Sequence, residues 1–176
     1  MPLIQINMKV YGPVPSDLAL SKREWNRLKK LAWEEVGKFW HAKLRPKHFT
    51  KAGAREYDYK PRSGEAGSGH GFRQSYTDRK LKRWGHTDPL VWSGETRELS
   101  SRGNIAATGN GVRLTYPSLR KLNQFKPKSK SGIEIDMIEE FQTVSQEERE
   151  IIAQLWIVQM ERFLRSYRGG GSRSFG

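Results

Sequence analysis

The sequence predicts an α+β domain: a small antiparallel sheet packed against two main helices, with long basic loops. Three patterns predict it. Residues 3–11 alternate apolar and polar side chains, two apolar stripes recur at helical spacing behind a Ser-x-x-Glu pair, and Asn110-Gly111 separates two short alternating runs.

The first element is a half-buried strand with Ile4, Ile6, Met8 and Val10 on one side and Gln5, Asn7, Lys9 and Tyr11 on the other. Gly12, Pro13 and Pro15 then interrupt regular structure, because proline brings no amide donor. A helix follows. Ser21 and Glu24 are placed to satisfy each other's free amides at its start, and Trp25, Leu28, Ala32, Val36, Phe39 and Trp40 form its apolar stripe. Its tryptophans are read as core, and Pro46 predicts an end one or two residues earlier.

Residues 45–73 are basic, Gly-rich and aperiodic, which predicts a long loop or arm of the kind that orders on a partner. A short helix is expected from about Ser75 to Trp84. The run PLVWSGETRELSSRG should pack through Leu90, Val91 and Trp92 and lead into a hairpin. In that hairpin Ile105–Thr108 and Val112–Tyr116 flank Asn110-Gly111, with Val112, Leu114 and Tyr116 on one face. A second loop is expected over 117–132, then a five-residue strand carrying Ile133, Ile135 and Met137.

Ser145 and Glu148 repeat the capping pair and open a last helix, whose broad apolar face holds Ile151, Ile152, Leu155, Trp156, Val158 and Phe163. Arg162, Arg165 and Arg168 gather at its carboxyl end, where cations are favoured. Residues 1–168 are thus read as one domain and 169–176 as a flexible Gly/Ser/Arg tail.

Composition narrows the chemistry. Only 35% of residues are apolar, so the core is modest and leans on six Trp, six Tyr and seven Phe. The chain has no Cys, which removes disulfides and thiolate chemistry. No run approaches the roughly 18 apolar residues of a membrane span, and the start lacks a leader, so a protein made and used in a cytoplasm is expected. His41, His48, His70 and His86 lack the spacing of a helical metal site, and the nearest acidic pair is Glu56 and Asp58. A nuclease is therefore disfavoured. Residues 67–71 and 108–111 lack phosphate-loop spacing, and Ser93-Gly94 lacks the flanking glycine of a nucleophile elbow. No enzyme activity, cofactor or metal is expected.

Charge points to partners instead. Residues 1–130 hold 27 Lys/Arg against 11 Asp/Glu, while residues 131–176 hold 5 against 8. Such a local field favours nucleic acid or an acidic protein face. The cations fall in three groups: Lys43, Arg45, Lys47, Lys51, Arg55, Lys60 and Arg62; Arg73, Arg79, Lys80, Lys82 and Arg83; and Arg120, Lys121, Lys126, Lys128 and Lys130. All are read as facing DNA or a partner, with Phe49, Tyr57 and Tyr59 as interface anchors. The acidic stretch Glu134–Glu150 offers a complementary face for a neighbouring copy.

The segment from Lys43 to Gly94 resembles small morphogenesis proteins of tailed bacteriophages, of the tail-completion or head-tail joining (neck) type. The residues that carry it are His48-Phe49-Thr50, Ala54, Tyr57, Tyr59, Pro61-Arg62, Tyr76, Lys80, Pro89-Leu90-Val91 and Ser93-Gly94. The order of elements after Gly94 is similar too, and the likeness covers roughly residues 21–165. Thr96 departs from it where such proteins more often carry a large aliphatic residue, and GEAGSGHGFRQS interrupts it. The resemblance implies a non-enzymatic virion subunit, assembled in the host cytoplasm. It would form a ring of its own copies in the neck or at the top of the tail, around the DNA channel, and touch portal, adaptor or tail proteins. The alternative is a sequence-nonspecific DNA- or RNA-binding module.

Overall fold

The structure is a computed structural model that describes residues 4–8, 20–62, 76–116, 122, 127–129 and 132–170. It is α+β. A three-stranded antiparallel sheet is built from β1 (Ile4–Met8), β2 (Asn104–Thr108) and β3 (Gly111–Tyr116), in the order β1-β3-β2. The register opposes Met8 to Val112 and Ile6 to Leu114 on one side, and Ile105 to Leu114 and Ala107 to Val112 on the other. Val112, Leu114 and Tyr116 alternate inward and are buried, as their spacing predicts.

The hairpin turn lies one residue earlier than expected. Thr108 pairs with Gly111, so the two-residue loop is Gly109-Asn110, and neither residue has a positive φ. The Thr108 hydroxyl fixes it by accepting from the Asn110 amide at 3.2 Å and donating to the Gly111 carbonyl at 3.2 Å.

Helix α1 (Lys22–Phe39) is the centre of the fold. Its Ser21/Glu24 capping box forms as predicted: the Glu24 amide donates to Ser21 Oγ at 3.2 Å, and the Ser21 amide donates to the Glu24 carboxylate at 2.9 Å. One side of α1 packs on the sheet. Gly37 makes this possible, because a Cβ there would stand 2.7 Å from a methyl of Ile105 and 2.8 Å from one of Val112.

Helical structure does not stop before Pro46. A π-helical turn, Trp40–Leu44, carries Trp40 and Leu44 into the core, and its last carbonyl partner is reached when the Arg45 amide donates to Trp40. A 3₁₀ stretch, Arg45–Phe49, follows with Pro46 in its first turn, where a missing N–H costs little. Helix α2 (Lys51–Glu56) is capped by Thr50, whose hydroxyl accepts from the Gly53 amide at 3.0 Å. Residues 45–49 and 51–56 of the expected loop are therefore helical, and 63–73 lie outside the described residues.

Helix α3 (Tyr76–Trp84) matches expectation. Leu90 and Val91 pack as predicted, and Trp92 stacks on Tyr76 with centroids 5.4 Å apart. A short helix, α4 (Glu95–Ser100), then precedes the hairpin. Its six residues hold a single large apolar side chain, too few for a periodic signal.

The strand expected over 133–137 is absent. Only a single bridge joins Lys128 to Glu134. Asp136 ends the extended run by accepting from the amides of Ile138 and Glu139 at 2.8 and 3.2 Å, which starts helix α5 (Met137–Gln142). Most of the 117–132 loop, and residues 171–176 of the expected tail, lie outside the described residues.

Helix α6 (Gln146–Gly170) begins at the predicted Ser145/Glu148 pair and runs antiparallel to α1, on the side away from the sheet. Trp33 meets Trp156 at 6.0 Å, Met160 packs with Leu28 and Ala32, and the Tyr167 hydroxyl donates to Glu24. Val158, placed by the sequence on the apolar face, instead points outward. Among the described residues no helix is long and apolar enough to cross a membrane.

Candidate functional site

The side chains with the most chemical potential are gathered in one buried network where the 3₁₀ stretch, the end of α2, α5 and the start of α6 converge. His48 stacks on Tyr57 with ring centroids 4.1 Å apart and rings within 5° of parallel. Its Nδ1 lies 2.5 Å from the Tyr59 hydroxyl, which donates to the Glu140 carbonyl at 2.8 Å. Since the phenol spends its only proton on that carbonyl, the bonding assigns the donor to Nδ1–H and leaves Nε2 as a bare, buried acceptor. Burial holds the imidazole neutral, with its pKa pushed down to about 3.

The Tyr57 hydroxyl donates to Glu148 Oε1 at 2.5 Å, while Oε2 of the same carboxylate accepts from the Ser145 amide at 3.4 Å. Glu148 is thus a helix cap and the anchor of Tyr57 at once. Beside it the Arg62 guanidinium donates to both oxygens of Glu140, and to the Lys60 carbonyl at 2.9 Å. Burial raises the pKa of both carboxyl groups; Arg62 opposes that shift at Glu140, and the Tyr57 hydroxyl opposes it at Glu148.

Aromatic side chains pack against the imidazole: Trp40 and Phe141 lie 5.8 and 5.6 Å from the His48 ring, and Phe49 packs on Phe141 at 5.7 Å. His41 and His86 are likewise engaged, His41 with Tyr116 and the Ser101 carbonyl, His86 with the Asp88 amide. His70 lies outside the described residues. Among the described residues no three His, Cys, Asp or Glu side chains are grouped to hold a metal ion.

The predicted surface residues separate into three fates. Phe49, Tyr57 and Tyr59 are in the core, and so are Arg62, 5% exposed, and Lys80, 2% exposed, whose ammonium donates to the Asp88 carbonyl. None of these five is offered to a partner. Arg62 finds its carboxylate at Glu140, 78 residues on, which a cluster of charges in sequence cannot reveal. Arg45 and Lys47 are half-buried: Arg45 donates to the carbonyls of His41 and Arg97 and to Ser100 Oγ, and Lys47 pairs with Glu56 at 3.3 Å. Lys43, Lys51, Arg55, Lys60, Arg79, Lys82, Arg83 and Lys128 are exposed. Arg73, Arg120, Lys121, Lys126 and Lys130 lie outside the described residues.

Helix α3 concentrates the exposed group. Arg79, Lys82 and Arg83 share it with Leu81 and Trp84, which are also exposed, and the Arg83 guanidinium sits 5.3 Å from the Trp84 ring centre. Leu81 and Trp84 were not among the expected site residues, although their separation of three residues places them on one helix face. Lys22, Arg23, Arg27 and Lys30 were not among them either; they are exposed on α1 and enter no ion pair among the described residues. In the acidic stretch, Glu134, Asp136, Glu139, Glu147 and Glu150 are exposed, whereas Glu140 and Glu148 belong to the core. Comparison with protein-family models, curated proteins and solved structures finds no match.

Proposed function

We propose that the chain is a structural virion protein of a tailed bacteriophage, a subunit of a ring of its own copies in the neck or at the top of the tail. That ring joins head to tail around the DNA channel. The observation that supports this reading is the division among polar side chains. Those suited to proton transfer are locked in the core, while α3 presents Leu81 and Trp84 beside Arg79, Lys82 and Arg83. Exposed apolar residues rimmed by charge suit a protein neighbour, whether another copy or a portal, adaptor or tail protein. Cations elsewhere on the surface neutralise genomic DNA without reading its sequence.

Of the residues that carry the resemblance to neck proteins, His48, Phe49, Tyr57, Tyr59, Arg62, Tyr76, Lys80, Pro89, Leu90 and Val91 are buried, whereas Thr50 and Pro61 are exposed. Deleting the gene from its phage is expected to leave filled heads and finished tails unjoined, as seen by electron microscopy. Intact, infectious particles would overturn the proposal.

A DNA- or RNA-binding module is the second reading, favoured by the exposed Trp84 among three cations, a surface on which a base can stack. Salt dependence separates the two. A dedicated binder binds tightly with a steep fall of log affinity against log salt, and replacing Arg79, Lys82 and Arg83 by Ala would reduce that slope by roughly three. A ring subunit binds free nucleic acid weakly.

A further inference from the structure

We propose that two copies of this chain pair through the outward faces of α6, antiparallel, about a two-fold axis passing between Ile157 and Val158. The face of α6 turned away from α1 presents, in chain order, Glu150, Gln154, Ile157, Val158, Glu161 and Arg165, none of them buried against the rest of the chain. Ile157 is 43% exposed and Val158 55%, an apolar centre left open among the described residues.

The pattern is its own complement. Glu150 precedes Ile157 by seven residues and Arg165 follows Val158 by seven, so each lies two turns, about 10 Å, from the centre. A two-fold axis at the centre brings Glu150 against Arg165 of the second copy, twice over. It sets Ile157 against Val158, and it places the Gln154 amide where it can donate to the Glu161 carboxylate of the other chain. A parallel arrangement would oppose Glu150 to Glu150 and Arg165 to Arg165, so charge fixes the orientation.

Among the described residues both charges hold exposed partners on their own helix alone. Glu150 accepts from Gln146 at 2.9 Å, and Arg165 donates to Glu161 at 3.5 Å. Such exposed pairs are weak and are readily exchanged. One helix face covers less than the roughly 800 Å² per partner of a stable complex, so the pair is a weak one, with a dissociation constant on the order of 1–100 µM. An isologous contact closes with two copies and cannot repeat around a ring. The pairing is therefore additional to any ring contact and stands independently of the ring reading.

The absence of cysteine gives a direct test. Val158→Cys places the chain's one thiol beside the axis, and mild oxidation of the full-length protein is expected to yield a disulfide-linked dimer. Glu147→Cys lies about 30 Å from its counterpart in the antiparallel pair and should not link. Equal linking at the two positions, or none at 158, overturns the proposal. Sedimentation of unoxidised protein supplies the second readout. Glu150→Arg should weaken dimerisation at least tenfold, and adding Arg165→Glu should restore it. A wild-type chain that stays monomeric near 1 mM, or a double variant no tighter than the single one, also overturns it.

Discussion

The phenol of Tyr57 and the carboxylate of Glu148, 91 positions apart, meet at 2.5 Å and tie the end of α2 to the first turn of α6. Glu148 is fully buried and also serves the Ser145 amide, so it cannot replace the lost donor with water. Tyr57→Phe is expected to destabilise the protein by about 1.5–3 kcal/mol, the range for a hydrogen bond to a charged group, in urea unfolding. Glu148→Gln keeps an acceptor for Tyr57 and should cost less. A Gln variant as damaging as Glu148→Ala would show that the bond carries little of the stability.

His48 gives the fold an acid limb. Its pKa falls from 6.5 to about 3 on folding, chiefly through burial, so between these values the unfolded chain binds the extra proton. The stability this neutral imidazole contributes is complete above about pH 6.5 and declines as pH drops, by about 2 kcal/mol at pH 5. Glu140 and Glu148 act in the opposite sense. Burial raises their folded pKa values above 4.5, so their contribution is largest at low pH and is lost as pH climbs through the folded values. In His48→Phe the Tyr59 phenol still reaches the Glu140 carbonyl, and the difference in unfolding free energy from wild type should shrink steadily from pH 7 to pH 4. A constant difference would mean that the imidazole is not held neutral.

How much of this was legible follows from the range of each interaction. Both main helices announced themselves through Ser21/Glu24 and Ser145/Glu148, because a capping box is closed within four residues. The sheet face of β3 was equally plain from Val112, Leu114 and Tyr116. The His48 network was not, since its bonds join residues as much as 91 positions apart and its members sit in a run whose basic composition suggested surface. Arg62 and Lys60 are two residues apart, yet one is buried and the other exposed; Glu140 makes the difference, and it is 78 residues from Arg62. Pro46 misled for a local reason, because the 3₁₀ stretch accepts it in its first turn.

The Arg62–Glu140 pair is expected to behave as a buried ion pair whose partners depend on each other. Arg62→Met strands the Glu140 carboxylate in the core and should cost about 3–5 kcal/mol, the range for breaking such a pair. Adding Glu140→Leu removes the stranded charge and should recover more than half of that loss. The double-mutant cycle, followed by urea unfolding, would then show strong favourable coupling between the two substitutions. Additive losses would place the weight of Arg62 elsewhere, on the Lys60 carbonyl or the face of Tyr59.

Gly37 sets helix propensity against packing. Alanine is favoured over glycine in a helix interior by about 1 kcal/mol, and on that ground alone Gly37→Ala would stabilise α1. The new Cβ, however, would approach the Ile105 and Val112 methyls to 2.7 and 2.8 Å. Both belong to β-branched side chains with little rotamer freedom, so the sheet itself must withdraw from the helix, and overpacking of this kind costs about 1–3 kcal/mol. Packing therefore wins, and Gly37→Ala should lower the midpoint of thermal unfolding. Val112→Ala in the same chain removes one of the opposing methyls, and the pair should cost less than the sum of its parts. A stabilised Gly37→Ala variant would mean that the sheet does not rest on α1 at this glycine.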